Sequence, residues 1–270
     1  MSVIKIEDLT RDYGEKKGIF HVSFEVEQGE VFGFLGPNGA GKTTTIRHLM
    51  GFLRAKSGRC TIDGLDCWKD SDRIQKRLGY IPGEISFFDD MTGTELLQFL
   101  GKYRKSPSDT RKNHLMECFE LNPHVKIKKM SKGMKQKLGI VAAFMHDPDI
   151  LILDEPTSGL DPLMQNRFIE LVEEEKKRGK TILMSSHMFE EVERTCQRVG
   201  MIREGKIVAL DSVEKLREQY VRPYTVTLAT PELAQDFAKD FGGVSSGLRV
   251  TVTTKQSLED IFMHYYGGEK

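Results

Sequence analysis

The run Gly36-Pro37-Asn38-Gly39-Ala40-Gly41-Lys42-Thr43-Thr44 matches the phosphate-binding pattern G-x-x-x-x-G-K-[ST]. Its three glycines let successive N–H groups turn inward around an anion, and a helix opening at the loop adds its positive end. Lys42 can reach β- and γ-phosphates, and the Thr43 hydroxyl can hold Mg²⁺. A second group of oxygen donors, Asp154 and Glu155, follows the apolar run Ile150-Leu151-Ile152-Leu153. Asp154 suits the metal, directly or through water, while Glu155 suits the attacking water. Each run alone has a plainer reading, a Gly-rich turn that carries a lysine or acidic residues that cap a helix. Together they point to binding and hydrolysis of a nucleoside triphosphate.

Such donors need a scaffold that places them side by side. Val31-Phe32-Gly33-Phe34-Leu35 is apolar enough for a buried strand entering the loop, and Thr43 to Gly51 reads as the helix leaving it. Ile150 to Leu153, bounded by Pro148 and Pro156, reads as a central parallel strand, which sets Asp154 and Glu155 at its C-terminal end. Alternation within residues 3 to 28 (Phe20, Val22, Phe24, Val26) predicts an antiparallel sheet. Residues 90 to 145 read as helical. Leu96, Leu97, Phe99 and Leu100, then Leu115, Met116 and Phe119, are spaced for a core face, and a polar loop with Pro107 runs from Lys102 to Lys112. Val199 to Arg203 and Lys206 to Leu210 read as strands joined by a turn at Glu204-Gly205. The expected fold class is α/β.

Composition narrows the setting. The 270 residues hold one good-sized α/β domain and a small appendage. Forty basic residues balance forty acidic ones, so no net field draws the chain to nucleic acid or to an acidic membrane surface. Cys60, Cys67, Cys118 and Cys196 stand apart without a C-x-x-C pair, which predicts reduced thiols without zinc or disulfides. The N-terminus lacks a signal-peptide core, and no apolar run approaches the roughly 18 residues of a membrane span. A soluble, cytoplasmic chain is expected.

The stretch Glu155-Pro156-Thr157-Ser158-Gly159-Leu160-Asp161-Pro162 resembles the segment after the Walker B strand of ATP-binding cassette ATPases, with Ser158 to Asp161 as the D-loop. Met130-Ser131-Lys132-Gly133-Met134-Lys135-Gln136-Lys137-Leu138 is similar to that family's signature segment, and Ile182-Leu183-Met184-Ser185-Ser186-His187 to its switch-histidine strand. Tyr13 is placed like the aromatic that stacks on adenine. Motifs in family order span residues 13 to 187, and the resemblance covers about the first 215 residues. It implies a P-loop NTPase fold with a mostly parallel central sheet, an antiparallel N-terminal β subdomain and a helical subdomain at 90–145. It implies ATP and Mg²⁺ as cofactors, with Thr43 and Asp154 at the metal and Glu155 and His187 as catalytic residues. His187 would contact the γ-phosphate and hold Glu155 and the water in line. Ser131 and Gly133 would serve the nucleotide of a partner subunit in a head-to-tail, ATP-bound homodimer, and Asp161 would lie in the D-loop. Read from residues alone, Ser131 can equally be the N-cap of the helix through Leu138, Val141, Ala142 and Met145, and Tyr13 a core or surface aromatic.

One position departs from the pattern. Where the family places glutamine after a strand like Leu78-Gly79-Tyr80-Ile81-Pro82, this chain has Gly83, followed by Glu84. The signature has Met130 where leucine is common, and its Ser131-Lys132-Gly133-Met134 form resembles that of the family's export branch. Past Tyr220 the character changes: Arg222-Pro223 ends a helix, Tyr224–Leu228 and Leu248–Val252 alternate as half-buried strands, and helices are expected over Glu232–Phe241 and Ser257–Tyr266. The last of these shows Leu258, Ile261, Phe262 and Tyr265 on one face. Residues 1–220 are thus expected as the nucleotide-binding domain and 221–270 as a small α+β extension without catalytic residues, similar to that of drug- and peptide-exporter ATPases. Two function classes remain. One is the ATPase subunit of a transporter, an exporter or more weakly an importer, whose separate permease holds it at the cytoplasmic face of the membrane. The other is a soluble ATPase acting on ribosomes or DNA. A single cassette, the absence of long heptads between Thr44 and Met130, and neutral charge favour the transporter, with no nucleic acid partner.

Overall fold

The computed structural model describes residues 1–104, 108–219, 221–255 and 257–266. Its N-terminal alternation becomes two long strands, β1 (Ser2–Asp12) and β2 (Gly18–Glu27), paired antiparallel. The inward set is not the one the alternation implied. Val22, Phe24 and Val26 are buried, but Ile19 is buried in place of Phe20. His21 has φ 55, a left-handed residue that adds one position to the strand and reverses the faces before it. Next come β3 (Val31–Leu35), wholly buried, and helix α1 (Lys42–Leu49). The hairpin of β4 (Ser57–Ile62) and β5 (Leu65–Asp66) completes a four-stranded sheet in the order β2-β1-β4-β5. Thr61 pairs with Asp66, which sets Cys60 opposite Cys67, and the Cys67 amide donates to the Cys60 carbonyl at 3.1 Å. These two cysteines, distant in sequence reading, are therefore cross-strand neighbours. Both are free thiols, and burial pushes Cys60 up to about 12.

After α2 (Ser71–Gln75), β6 (Leu78–Ile81) leads into the helical region. α3 (Gly93–Tyr103) opens with a capping box in which Thr92 and Glu95 satisfy each other's backbone amides. Leu96 and Leu97 are buried as expected. Phe99 is instead half exposed and stacks on Tyr103 at 6.4 Å, because α3 covers the core with a narrower face than its apolar content suggests. α4 (Thr110–Cys118) buries Leu115, and Phe119 follows it into the core. The polar segment from Lys102 to Lys112 is thus shorter than expected, since α3 extends through Tyr103 and α4 starts at Thr110. Pro107 lies outside the described residues. α5 (Lys132–Phe144) buries Leu138 and Val141. Arg111 on α4 donates to the buried Glu175 at 2.5 Å, and Glu175 lies on the later helix α6 (Pro162–Lys177), so the helical region is tied to the core by charge as well as by apolar contact.

Between α5 and α6 runs β7 (Ile150–Asp154), and β8 (Thr181–Ser186), α7 (Phe189–Thr195), β9 (Arg198–Arg203) and β10 (Lys206–Ser212) follow. The main sheet has the order β10-β9-β3-β8-β7-β6, with parallel pairing of β3 to both β8 and β9, and of β7 to both β6 and β8. Phe24 of the antiparallel sheet stacks on Phe32 of β3 at 5.1 Å, joining the two sheets in one core.

The chain divides into two compact units, Met1–Leu210 and Asp211–Lys270, a division ten residues before the change of character read past Tyr220. The second unit contains α8 (Val213–Gln219), β11 (Val221–Thr227), α9 (Pro231–Phe241), β12 (Val244–Ser246), β13 (Arg249–Lys255) and α10 (Leu258–Tyr266). Its sheet is antiparallel in the order β11-β13-β12. The expected strands are half-buried: Val250 is buried and Val226, Leu228 and Val252 are partly so, whereas Tyr224 is 53% exposed. In α10, Leu258, Ile261 and Phe262 are buried; the Tyr265 side chain lies outside the described residues.

Candidate nucleotide-hydrolysis site

The register of the main sheet assembles the site. Leu35 at the end of β3 pairs with Ser186 of β8, and Ser185 pairs with Asp154 at the end of β7. The loops after these three strands therefore emerge side by side at the C-terminal edge of the sheet. The first loop, residues 36–41, leads directly into α1, whose N-cap is Gly41. Gly41 has φ 114, and a Cβ there would lie 2.6 Å from Ile19 Cγ2, so neither the backbone nor the packing admits a side chain. The first amides of α1 have no partner within the helix and point to where an anion would sit. Lys42 is only 5% exposed, and its ammonium donates to the Gly36 carbonyl at 2.5 Å and the Pro37 carbonyl at 3.4 Å.

The acidic side faces it. Asp154 is fully buried, and Thr43 Oγ1 donates to its Oδ2 at 2.8 Å while Ser185 Oγ donates to its Oδ1. Burial, helped by the Asp154 charge, pushes the Tyr80 phenol up to about 12. Glu155 takes φ 49, a left-handed conformation that costs about 1–2 kcal/mol for a residue with a Cβ. Its amide donates to the Ser185 carbonyl at 3.1 Å, which keeps it in that conformation. The carboxylate lies between two cationic or proton-carrying groups. Lys42 Nζ is 3.1 Å from Oε1, an ion pair without hydrogen-bond alignment, and His187 Nδ1 donates to Oε2 at 2.5 Å.

A cavity of about 490 Å³ opens over the loop, lined by Tyr13, Lys17, Gly18, Pro37, Asn38, Gly39, Gly41, Lys42, Thr43, Thr44 and Glu155. It joins the base-stacking candidate, the phosphate loop and the candidate base in one space large enough for a nucleotide. A model of the ABC transporter family matches residues 19–158.

This chain belongs to the ABC transporter family.

Within that family the bacitracin transport ATP-binding protein BcrA of Bacillus licheniformis is 39% identical over 230 residues, 82% of this chain and 74% of the relative. The linearmycin resistance ATP-binding protein LnrL of Bacillus subtilis is 37% identical over 267 residues, 97% of this chain and 82% of the relative, so that likeness runs into the second unit. The solved structure of an ATP-binding subunit of an ABC transporter superimposes with a TM-score of 0.73 at 30% identity, over 81% of this chain and 93% of the other. The chain is thus an ATP-binding subunit with the P-loop NTPase fold, an ATPase coupled to transport. Among the described residues no helix is long and apolar enough to cross a membrane.

Of the residues singled out from sequence, Tyr13, the phosphate loop, Asp154, Glu155 and His187 come together. Tyr13 is half exposed, with the Arg11 guanidinium 5.2 Å from its ring centroid. Ala40 is buried beneath the loop. Ser131, Gly133 and Asp161 do not line the cavity. Ser131 is the exposed N-cap of α5 and accepts from the Met134 amide at 3.2 Å, and Asp161 caps α6 by accepting from the Met164 amide at 3.0 Å. The signature and D-loop segments touch within the chain, where Lys132 Nζ donates to Ser158 Oγ at 2.9 Å. A Cβ on Gly83 would approach Asp154 Oδ2 to 3.0 Å, so the segment that lacks glutamine passes directly over the acidic strand end, while Glu84 is exposed. Sequence reasoning missed Ser185, Gln136, whose amide donates to the Pro156 carbonyl at 2.6 Å, and the buried Glu191. Ser185 and Gln136 lie within the quoted switch-histidine and signature segments, but their roles show only in contacts to Asp154 and Pro156 from other parts of the chain, and the Glu191 contact to Thr157 is likewise long-range.

Proposed function

We propose that this chain is the ATP-hydrolysing subunit of an exporter, working as a pair of identical ATPase subunits under a separate membrane-spanning permease at the cytoplasmic face of the membrane. The carrying observation is the Glu155 carboxylate, held in a left-handed turn between Lys42 and His187 at the edge of a cavity that the phosphate loop and Tyr13 line. In this reading Tyr13 stacks on the base, and the amides of residues 36–44 with Lys42 hold the phosphates. Glu155 takes the proton of the attacking water, and His187 keeps Glu155 and that water in line. Thr43 Oγ1 and Asp154 Oδ2, already 2.8 Å apart, are hard oxygen donors of the kind that hold Mg²⁺ beside phosphates and water. Bound there, Mg²⁺ would neutralise charge that develops on the phosphates.

Export is supported by relatives named for bacitracin transport and linearmycin resistance, and by the Met130-Ser131-Lys132-Gly133-Met134 form of the signature. Pairing is supported by the position of Ser131 and Gly133, exposed or half-exposed at a helix start outside the chain's own cavity, where their donors suit the γ-phosphate of a second subunit. In the full chain, Glu155→Gln is expected to bind ATP with near-normal affinity and to lose turnover, while Lys42→Ala loses affinity itself. Equilibrium ATP binding and steady-state phosphate release separate the two. Turnover at the wild-type rate in Glu155→Gln would remove Glu155 from the role of base.

A further inference from the structure

Besides Asp154, the site has a second deeply buried carboxylic acid, and it does not face the cavity. Glu191, on α7, is 3% exposed. Its Oε2 accepts the Ser186 hydroxyl at 2.7 Å and the Thr157 hydroxyl at 3.3 Å. Ser186 immediately precedes His187, and Thr157 lies two residues after Glu155. Ser186 Oγ also accepts the Met188 amide at 2.9 Å, so the backbone on both sides of His187 is fixed through this one hydroxyl. Thr157 Oγ1 further approaches Met188 Sδ at 3.9 Å. The Glu191 main chain is held in turn, its carbonyl accepting the Thr195 hydroxyl at 2.8 Å.

We propose that Glu191 is a positioning residue for hydrolysis: by accepting the Ser186 and Thr157 hydroxyls it sets the spacing between the turn that carries Glu155 and the turn that carries His187. The inference rests on the roles given above to Glu155 and His187. Its physical case is the contrast between what Glu191 costs and what it holds. Burial pushes its carboxyl up to about 7, the Glu155 charge adds to that rise, and the Ser186 and Thr157 hydroxyls and His187 oppose it. Among the described residues its Oε1 has no hydrogen-bond partner, and Glu191 lines a cavity of about 210 Å³ together with Thr157, Gln165, Asn166, Met188 and Arg194. A buried acid with an unsatisfied oxygen is less stable than an apolar side chain of similar volume. The structural return on it is two hydroxyl bonds that each lead to a candidate catalytic turn. Hydrogen bonds of this kind fix heavy-atom separations to a few tenths of an ångström, the tolerance that an aligned water demands.

The test compares Glu191→Leu, which keeps the volume and removes the acceptor, with Glu191→Gln, which keeps a carbonyl acceptor. Both are made in the full chain and assayed at one fixed protein concentration and saturating Mg²⁺ and ATP. Glu191→Leu is expected to melt at or above the wild-type temperature, to keep its ATP affinity within about twofold, and to lose at least about tenfold in kcat. Glu191→Gln should recover kcat to within about threefold. Unchanged kcat in Glu191→Leu overturns the proposal. So does a loss that Gln does not rescue, or a loss of kcat matched by falling ATP affinity and melting temperature, which would mark a purely structural role. If Glu191→Leu does not fold, the paired variant Ser186→Ala with Thr157→Val removes only the two hydroxyls, and a wild-type kcat there overturns it equally. Arrest in Glu155→Gln together with normal Glu191→Leu sinks this inference alone; full turnover in Glu155→Gln sinks both.

Discussion

At the residue scale, this site keeps charge where water cannot reach it, and each buried group is matched to a donor. Asp154 is fully buried yet accepts two hydroxyls, and Lys42, nearly as buried, donates to two carbonyls and forms an ion pair with Glu155. Glu155 and Glu191 depart from this, since Oε1 of each has no hydrogen-bond partner among the described residues; Glu155 Oε1 has Lys42 3.1 Å away, and Glu191, only 3% exposed, is the deeper exception. That exception has a measurable consequence. Its folded-state value of about 7 stands above the unfolded value of 4.5. The native state therefore binds the proton more tightly, and stability from this group is present below the unfolded value and falls as pH rises through the interval to about 7. The upper bound is about 3 kcal/mol, with Glu155, His187 and Cys196 as the titratable neighbours that modulate it. Denaturant unfolding from pH 5 to 8 should show wild type losing stability relative to Glu191→Leu as pH rises. A constant difference between the two across that range would show that Glu191 does not change its protonation on folding.

At the element scale, the segment leaving β6 decides how the acidic strand end is covered. Family resemblance places a glutamine where Gly83 stands, yet a Cβ at that position would press to 3.0 Å from Asp154 Oδ2. That contact is tighter than van der Waals packing favours, and the atom it meets is the one that also accepts from Thr43. Restoring the common residue by Gly83→Gln is thus expected to impair this enzyme rather than improve it. The Mg²⁺ concentration for half-maximal hydrolysis should rise by about tenfold, equivalent to roughly 1.4 kcal/mol, as the Asp154 carboxylate is pushed from Thr43. A titration of activity against Mg²⁺ reads this directly. Unchanged or stronger Mg²⁺ dependence in the variant would show that the loop yields and that glycine is incidental there.

At the scale of the whole molecule, Ser131 and Gly133 sit on the start of α5 outside the cavity that holds the phosphate loop, and in the pairing proposed above a second chain completes the site that uses them. The expected behaviour is a monomer without nucleotide that dimerises when Mg²⁺ and ATP are added to Glu155→Gln, visible by sizing with light scattering. Mixing Lys42→Ala with Ser131→Arg chains should leave at most one intact composite site per dimer. Hydrolysis strictly first order in protein, with Ser131→Arg fully active, would rule out the shared site. Ser131 also caps α5, so its replacement should be checked for stability, where loss of the cap alone accounts for about 1 kcal/mol.

The sequence by itself determined the chemistry whose parts are contiguous. The phosphate loop holds its glycines, lysine and threonine within one run, and Asp154 and Glu155 follow an apolar strand that can only be buried, so local pattern suffices for both. The same holds for the helix cap at Ser131, since a cap is a contact between residues three apart. Tertiary structure alone decided everything that depends on strand order. β8 inserts between β3 and β7, which brings Ser185 to Asp154 and His187 to Glu155, and no periodicity within any one strand encodes which strand will be its neighbour. A bulge at His21 moved Ile19 into the core in place of Phe20, and the hairpin register set Cys60 against Cys67. Glu191 belongs to this second class. Its spacing from His187 is unremarkable in the sequence, and only the packing of α7 against the turns that carry Glu155 and His187 makes its carboxylate the acceptor that joins them.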